Sequence, residues 1–403
     1  MSEPQTPAPL ELRPPRETSP ELAALYERLG RWPDVQAPEL VAVDAADRLL
    51  VDTALAMLAD GPQEGAEPPR VVVAGETYGA VSLAMAQETG QRVLVVTDSQ
   101  VHRNAIFNNA AAAGLAERIE FLDLEDLAGA TGRAPVLVLA LAPRAHAVLE
   151  EWADAAARLP GILGLLVGGR LKHMSLGLND RLEASFASVQ PSRARQKARL
   201  IWASSPAPGP ERSFVTRSSH DVGLRAPLTL CAVPGAFGAD RLDPGTRLLL
   251  PVLAEELAAA TPPQIVDAGC GNGTIAVFAA LVDPEVRVVA TDVSRAAIRA
   301  TELTAEANGV EIRTVLDDAL STWPDASEDF IVLNPPFHAG NTVTEDIALK
   351  LFEAAGRVLR PGGTLLTVWN APLAYSRHLR RHVGTTVTVA SNRKFQVTRS
   401  LKG

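Results

Sequence analysis

The sequence contains little that would tie the protein to a metal, a disulfide framework or a membrane. Cysteine occurs twice in 403 residues, as Cys231 and Cys270, and the two form no Cys-x-x-Cys pair. This scarcity argues against a zinc cluster and against disulfides, and it favours the reducing cytoplasm as the compartment. No uninterrupted apolar segment reaches about 18 residues, so we predict no membrane span and no bound metal.

An excess of positive charge is also missing. Lysine and arginine number 38 against 47 acidic residues, which gives a formal net charge of −9. A protein with this balance has no general field for a polyanion, so any contact with nucleic acid must be local. Hydrophobic residues make up 47% of the chain, enough to bury substantial cores. The length favours two or three domains, and nothing in the sequence indicates an oligomer, so we expect a monomer.

Segments with strand and helix patterns alternate along most of the chain. The first 20 residues are rich in proline and glutamate, so we predict a disordered leader there and no signal peptide. Buried strands then alternate with helices, a pattern typical of a parallel sheet with helices on both faces. The fold class predicted is therefore α/β, with two tandem doubly wound, Rossmann-like domains. We place the first at residues 21–205, a Pro/Ser-rich linker at 206–218 and the second at 219–403.

The first strand-to-helix turn of the N-terminal half looks unsuited to a nucleotide. It reads Ala74-Gly75-Glu76-Thr77-Tyr78-Gly79, with bulky side chains where a nucleotide-binding turn needs glycine. Asp98, after the next strand, has the type of side chain that binds a ribose, but an inert surface aspartate is the simpler interpretation. We expect this half to be a nucleotide-binding fold that has lost its ligand.

The corresponding turn of the second half keeps its glycines. Asp267 ends a strand and is followed by Ala-Gly-Cys-Gly-Asn-Gly, which brings backbone amides close to a ligand. An acid at this point disfavours a pyrophosphate and favours a cation. Carboxylates that end the next two strands, Asp292 and Asp318, are placed to accept ribose hydroxyls and an adenine amino group. A ribose, an adenine and a positive centre together describe S-adenosylmethionine.

A rim for a planar amine follows the next apolar strand. The strand stops at Asn334-Pro335-Pro336-Phe337-His338, where the prolines hold an extended turn. The Asn334 side-chain carbonyl and the Pro335 main-chain carbonyl would accept the two N–H groups of an exocyclic amine, while Phe337 stacks on its ring. An ordinary strand followed by a proline-rich turn is the alternative. The role of His338 is open between contact with the base and capping of the turn.

Positive charge is concentrated in a few short segments, which are the candidates for contact with an RNA backbone. For the segment at residues 193–199, a solvated strand edge is an equally good explanation. The predicted contacts are Arg193, Arg195, Lys197, Arg393 and Lys394, with a further patch at 377–381.

The second half resembles class I methyltransferases, and more narrowly the bacterial ribosomal RNA guanine-N2 methyltransferases of the RsmC/RlmG type. The resemblance is carried by the 266–273 glycine turn, the 334–338 rim, the 359–363 turn and the 391–397 tail. It extends more loosely over the first half, where this family carries a degenerate, cofactor-free copy of the fold. It covers most of the chain beyond the first forty or so residues.

The resemblance implies transfer of a methyl group from S-adenosylmethionine to N2 of a guanine in ribosomal RNA. The implied amine and base contacts are Asn334, Pro335, Pro336, Phe337 and His338. The implied cofactor site comprises Asp267, Gly269, Cys270, Gly271, Gly273, Asp292, Val293, Asp318 and Asn334. Two alternatives stay open at this point. The same rim serves enzymes that methylate adenine N6 or a protein glutamine, and a non-catalytic RNA-binding or ribosome assembly protein could retain the pocket as a scaffold.

Overall fold

The computed structural model describes residues 10–37, 40–59, 67–259, 262–336 and 342–403. Its contacts divide the chain into two compact units, Met1–Ser213 and Phe214–Gly403. The division falls within the predicted 206–218 linker, although the strands on either side of it run further into that stretch than expected. Met1–Ser213 is unit 1 and Phe214–Gly403 is unit 2.

Unit 1 is a seven-stranded sheet with helices on both faces. Its strands are β1 (Arg70–Ala74), β2 (Val93–Val96), β3 (Ile119–Leu122), β4 (Val136–Leu141), β5 (Ile162–Arg170), β6 (Phe186–Pro191) and β7 (Ala198–Pro206). Its helices are α1 (Pro20–Arg28), α2 (Ala45–Leu58), α3 (Ala80–Thr89), α4 (Gln100–Ala113), α5 (Leu127–Thr131), α6 (His146–Ala157) and α7 (Gly177–Glu183). The strand order is β3-β2-β1-β4-β5-β7-β6, and β7 runs antiparallel to both of its neighbours.

Continuous apolar strands explain why both faces of this sheet are covered. Successive residues of a strand point to opposite faces. Val71 and Val73 of β1 therefore belong to one core with α1, α2 and α3, whereas Val72 and Ala74 belong to a second core beneath α6 and α7. The strand-and-helix alternation expected of this half is confirmed.

The N-terminal stretch predicted to be disordered is partly packed against unit 1. Leu10 and Leu12 lie against the core that contains α1 to α3. The hydroxyl of Thr18 donates to Asp52 Oδ2 at 2.7 Å, and Arg16 pairs with Glu88. The prediction of a disordered leader is therefore wrong for residues 10–19, because two leucines and two polar contacts hold this proline-rich segment in place. Residues 1–9 lie outside the described part of the chain.

Unit 2 repeats the architecture of unit 1. Its strands are β8 (Thr216–His220), β9 (Leu228–Ala232), β10 (Gln264–Ala268), β11 (Arg287–Asp292), β12 (Arg313–Leu316), β13 (Glu328–Leu333), β14 (Leu359–Asn370), β15 (Gly384–Ser391) and β16 (Phe395–Lys402). Its helices are α8 (Pro244–Ala259), α9 (Thr274–Val282), α10 (Arg295–Asn308), α11 (Thr342–Val358) and α12 (Ser376–His382). β8 and β9 form a separate hairpin, and the main sheet has the order β12-β11-β10-β13-β14-β16-β15.

The two main sheets have the same strand order, position for position, which confirms the predicted pair of doubly wound α/β domains. In unit 2 the order places β10 between β11 and β13, and all three strands are parallel. The carboxyl ends of parallel strands meet at one edge of the sheet, where ligands of such folds bind. Among the described helices, none is both long and apolar enough to cross a membrane.

Candidate active site

The glycine turn between β10 and α9 leaves open space beside its first glycine. Gly269 has φ +82°, and a Cβ added there would meet no atom of the described residues within 4 Å. Gly273, with φ +78°, is tight instead, since its Cβ would lie 2.9 Å from the Cα of Thr301 on α10. Gly271, with φ +55°, lies between them. The glycines thus serve two purposes, because one leaves room for a ligand and another lets two helices pack closely.

Asp267 lies beneath this turn at the end of β10 and is fully buried. Its Oδ2 accepts a hydrogen bond from the amide of Ala276 in α9 at 3.1 Å, whereas Oδ1 has no partner in the described part of the chain. Burial, reinforced by the negative charge of Asp292, raises the pKa of Asp267 to about 7. A cation nearby would favour the ionised form of this carboxyl group.

Asp292 ends the neighbouring strand β11 and holds the glycine turn. Its Oδ2 accepts from the amide of Gly271 at 3.0 Å, and its Oδ1 accepts from the amide of Ser294 at 2.9 Å. Val293 beside it is half-buried. Cys270 is buried, its sulfur accepts from the hydroxyl of Thr301, and burial raises its thiol pKa. Its side chain therefore belongs to the packing of α10.

The next strand end, after β12, carries two carboxylates in different settings. Asp318, the predicted adenine ligand, is half-buried and pairs with Lys350 of α11, the Nζ to Oδ2 distance being 2.5 Å. Asp317 is buried; its Oδ1 accepts from the hydroxyl of Ser321 at 2.7 Å, and its Oδ2 has no described partner. The sequence did not reveal the ion pair with Lys350.

Asn334 follows β13 at the same edge of the sheet as the glycine turn. Leu333, just before it, is paired with Ala268, just before Gly269. The Nδ2 group of Asn334 donates to Thr246 Oγ1 at 2.9 Å and to Asp243 Oδ2 at 3.2 Å. Its Oδ1 is buried and has no partner among the residues described. The tip of β13 therefore faces the glycine turn of its neighbour.

The structure does not describe the whole predicted rim. Pro335 is buried and Pro336 is exposed. Phe337 and His338 lie outside the described residues, so their predicted contacts with a base stay predictions.

A small pocket joins the glycine turn to Asn334, and several of its walls were missed by the sequence predictions. Asn272 ties the loop before α8 to the turn, since its Nδ2 donates to the carbonyl of Ala239 at 2.9 Å. Phe237, which is 56% exposed, covers one side. The residues missed as pocket lining belong to the 234–247 stretch before and at the start of α8, where Asp243-Pro244 and the aromatic Phe237 were the signals available in the sequence. The pocket is lined by Phe237, Gly238, Arg241, Asp243, Thr246, Gly269, Cys270, Gly271, Asn272, Thr274, Ile275 and Asn334.

In unit 1 the corresponding space is filled. A Cβ on Gly75, the equivalent of Gly269, would overlap the ring of Trp152 from α6 and approach the carbonyl of Leu141 to 3.2 Å. Both glycine amides donate to the neighbouring strand, Gly75 to Val96 and Gly269 to Thr291, which establishes the equivalence. Trp152 thus occupies the side of the turn that is open in unit 2.

The acids of unit 1 are displaced as well. Glu76 is buried, and its Oε2 accepts from the amides of Val81 and Ser82 at 3.1 Å. This loop side chain therefore binds backbone amides of α3, as Asp267 binds an amide of α9. Thr97 follows Val96 as Asp292 follows Thr291. Asp98 is therefore one residue away from the position at which a carboxylate would match Asp292. The position of Glu76 and the offset of Asp98 are both consistent with the expectation that unit 1 has lost its ligand.

The predicted basic contacts lie on matching hairpins of the two units. Arg193, Arg195 and Lys197 are exposed in the β6–β7 turn, which joins the sheet where Ala198 pairs with Arg170 at the end of β5. Arg393 and Lys394 are exposed in the β15–β16 turn, where Phe395 pairs with Asn370 at the end of β14. Each cluster therefore lies at the carboxyl edge of its own sheet.

No metal site is evident in the ranges that the structure describes, since no group of three or more His, Cys, Asp or Glu side chains is arranged to hold an ion. A metal-free site stays a prediction.

Two family models match the two units. Residues 227–399 match the methyltransferase small domain, and residues 18–207 match the RLMG N-terminal domain. Together these matches cover both sheets.

Similar proteins extend over nearly the whole chain. Ribosomal RNA large subunit methyltransferase G of Streptomyces avermitilis is 34% identical over 385 residues, which span 93% of this chain and 96% of that protein. The protein of the same name from Streptomyces coelicolor is also 34% identical, over 93% of this chain and 97% of its own length. The protein of that name from Shewanella amazonensis is 28% identical over 93% of this chain and 96% of its own length.

One solved structure is similar in fold over almost the full length. It is the Thermus thermophilus 16S rRNA N2 G1207 methyltransferase RsmC, in complex with AdoMet and guanosine. The alignment has a TM-score of 0.72 and 24% identity and covers 94% of this chain and 99% of that one. At this identity the likeness supports the two-domain fold alone.

Proposed function

Because the chain belongs to the family of ribosomal RNA large subunit methyltransferase G, we propose that it methylates the exocyclic N2 amine of a guanine in large-subunit ribosomal RNA. The family establishes S-adenosylmethionine-dependent methylation of ribosomal RNA. The acceptor amine, the base and the subunit are our inference.

The residues of unit 2 fit S-adenosylmethionine. The space beside Gly269 is open, and the buried Asp267 provides a negative charge that a sulfonium or ammonium group would stabilise. We assign Asp292 and Val293 to the ribose end and Asp318 to the adenine. Gly271, Gly273 and Cys270 shape the turn through their backbone.

The single observation that carries the proposal is the state of Asn334. A buried carbonyl oxygen without a partner costs about 1–3 kcal/mol, so natural proteins rarely leave one without a purpose. Oδ1 of Asn334 has no partner among the residues that the structure describes, and Asn334 lines the same pocket as the open glycine. An amine N–H from a substrate would satisfy it.

The chain promotes the reaction by placing hydrogen-bond acceptors beside the substrate nitrogen, which is the nucleophile that attacks the methyl group. S-adenosylmethionine, when bound, supplies an electrophilic methyl group whose C–S bonding pair stays on sulfur while the acceptor nitrogen takes the methyl and releases one proton. Asn334 Oδ1 and the carbonyl of Pro335 would stabilise the positive charge that develops on that nitrogen. Pro336 keeps this turn extended, and Phe337 and His338 are assigned to the base.

Guanine in an unpaired region is the base we favour. A target base must leave its stack, and this costs least in loops, where RNA readers usually work. The RNA backbone would be held by the exposed cations of the two hairpins, Arg193, Arg195, Lys197, Arg393 and Lys394. The protein named RsmC acts on N2 of a guanine, which makes this amine the first to test.

Nucleoside analysis separates the candidates. Purified protein is incubated with tritiated S-adenosylmethionine and either unmodified ribosomal subunit, and the RNA is then digested to nucleosides and the ribosomal protein to amino acids. We expect label in N2-methylguanosine from large-subunit RNA. Label in N6-methyladenosine, or in glutamine of a ribosomal protein, would establish one of the other amine acceptors, and cofactor binding without labelling of any acceptor would favour a scaffold.

A further inference from the structure

The amide group of Asn334 is held at its donor end by the start of one helix. Its Nδ2 reaches Thr246 Oγ1 at 2.9 Å and Asp243 Oδ2 at 3.2 Å. Both partners lie at the beginning of α8, 88 and 91 residues earlier in the chain. An amide is planar, so two partners for its NH2 group determine the direction of its oxygen.

Asp243 is itself held firmly. Its Oδ2 accepts the amide of Thr246 at 2.8 Å, and its main-chain carbonyl accepts the amide of Arg247 at 2.9 Å. It therefore acts as the N-cap of α8. The geometry of the helix start therefore fixes the position of the Asp243 carboxylate.

The chemistry of Asp243 permits one orientation of the asparagine. An ionised carboxylate only accepts hydrogen bonds, whereas an amide presents a donor on one side and an acceptor on the other. A reversed Asn334 would direct its oxygen at the carboxylate and its NH2 group at the ligand. Repulsion between oxygens excludes this arrangement, so the NH2 group faces Asp243 and the oxygen faces the pocket.

We propose that Asp243 and Thr246 are positioning residues that orient the amide of Asn334, so that the site accepts hydrogen bonds from the substrate nitrogen and selects an amine that carries N–H groups. This inference rests on the proposed function and deepens it. A ring nitrogen without hydrogen, which presents only a lone pair, would gain nothing from an acceptor at this position. The orientation thus contributes to acceptor choice as well as to rate.

Four substitutions separate orientation from folding. Asp243→Ala removes the oxygen that accepts from both the Thr246 amide and Asn334 Nδ2, whereas Asp243→Asn keeps an oxygen for both, because asparagine caps helices as well as aspartate does. Thr246→Val keeps the shape and the cap and removes the hydroxyl acceptor, and Thr246→Ser keeps that acceptor. We expect the turnover number to fall roughly ten- to hundredfold for Asp243→Ala and roughly two- to tenfold for Thr246→Val, and little for Asp243→Asn and Thr246→Ser.

A double-mutant cycle tests whether both residues act through Asn334. In the Asn334→Ala background, Asp243→Ala and Thr246→Val should lower the turnover number by no more than about twofold further, since the amide that they orient is absent. The affinity for S-adenosylmethionine should stay near that of the unchanged protein in all these variants.

A measurement that needs no substrate completes the test. In protein labelled with 15N-asparagine, the side-chain NH2 signal of Asn334 is assigned by its loss in Asn334→Ala. We expect slow hydrogen exchange in the unchanged protein and faster exchange in Asp243→Ala and Thr246→Val. Fast exchange in the unchanged protein, normal turnover in Asp243→Ala, or an undiminished loss in the Asn334→Ala background would overturn the orientation. Slow exchange in a protein that labels no RNA would instead overturn the proposed function.

Discussion

Two glycines with the same backbone conformation allow a direct test of the cofactor pocket. Gly269 has φ +82° and Gly362 has φ +80°, and in the part of the chain that the structure describes an added Cβ would meet nothing within 4 Å at either position. Replacement by alanine in the left-handed region costs about 1–2 kcal/mol. Both variants should therefore lose similar amounts of unfolding free energy. Only Gly269 lines the pocket, whereas Gly362 lies at the start of β14, at the opposite end of the sheet.

The two variants should differ in cofactor affinity. In Gly269→Ala the added methyl enters the space assigned to S-adenosylmethionine, and overpacking of this kind costs about 1–3 kcal/mol, which corresponds to a Kd weaker by roughly fivefold to 150-fold. Gly362→Ala should bind within about twofold of the unchanged protein. Calorimetric titration measures the Kd, and urea unfolding checks that the losses of stability match. Unchanged affinity in Gly269→Ala, or equal loss in both variants, would refute the assignment of this space.

Three further predictions follow from the same geometry. Since burial raises the pKa of Asp267 to about 7, affinity for the cationic cofactor should increase from about pH 5 to about pH 7 and then level off. Asp267→Asn should remove this pH dependence. A flat profile in the unchanged protein would contradict the role of the carboxylate. Because Trp152 covers Gly75, calorimetry should give one cofactor per chain, and two would show that unit 1 also binds. Replacing Arg193, Arg195 and Lys197 by alanine should weaken RNA binding and lower the number of phosphate contacts derived from its salt dependence by up to about three. Arg133→Ala, at the other end of that sheet, should change neither quantity. Equal effects would show that the contribution of these charges is non-specific.

Local patterns were sufficient to predict the fold and the strand-end acids. The apolar strand before Asp267 and the one before Asn334 are short, and each stops at a glycine or proline, so their periodicity needs no information from distant residues. The parallel order of a doubly wound sheet then brings these ends to one edge. Asp292 and Asn334 were predicted on this basis, and the structure places both at the edge that the glycine turn occupies.

Features that depend on contacts between distant residues could not be predicted in this way. The partners of Asn334 precede it by 88 and 91 residues, and no local pattern connects them. In unit 1 a one-residue offset separates Asp98 from the position that matches Asp292, and strand register alone reveals it. The leader was misjudged because its composition resembles that of disordered chains, although Leu10 and Leu12 find a core to pack against.

The central claim is that Asn334 acts on the acceptor nitrogen and not on the cofactor. Single-turnover methylation of large-subunit RNA and calorimetric binding of S-adenosylmethionine, measured side by side for the unchanged protein and Asn334→Ala, test it most directly. We expect the variant to lose methyl transfer by at least about a hundredfold while its affinity for the cofactor changes by less than about threefold. Equal losses in both measurements, or methyl transfer that survives the substitution, would contradict the claim.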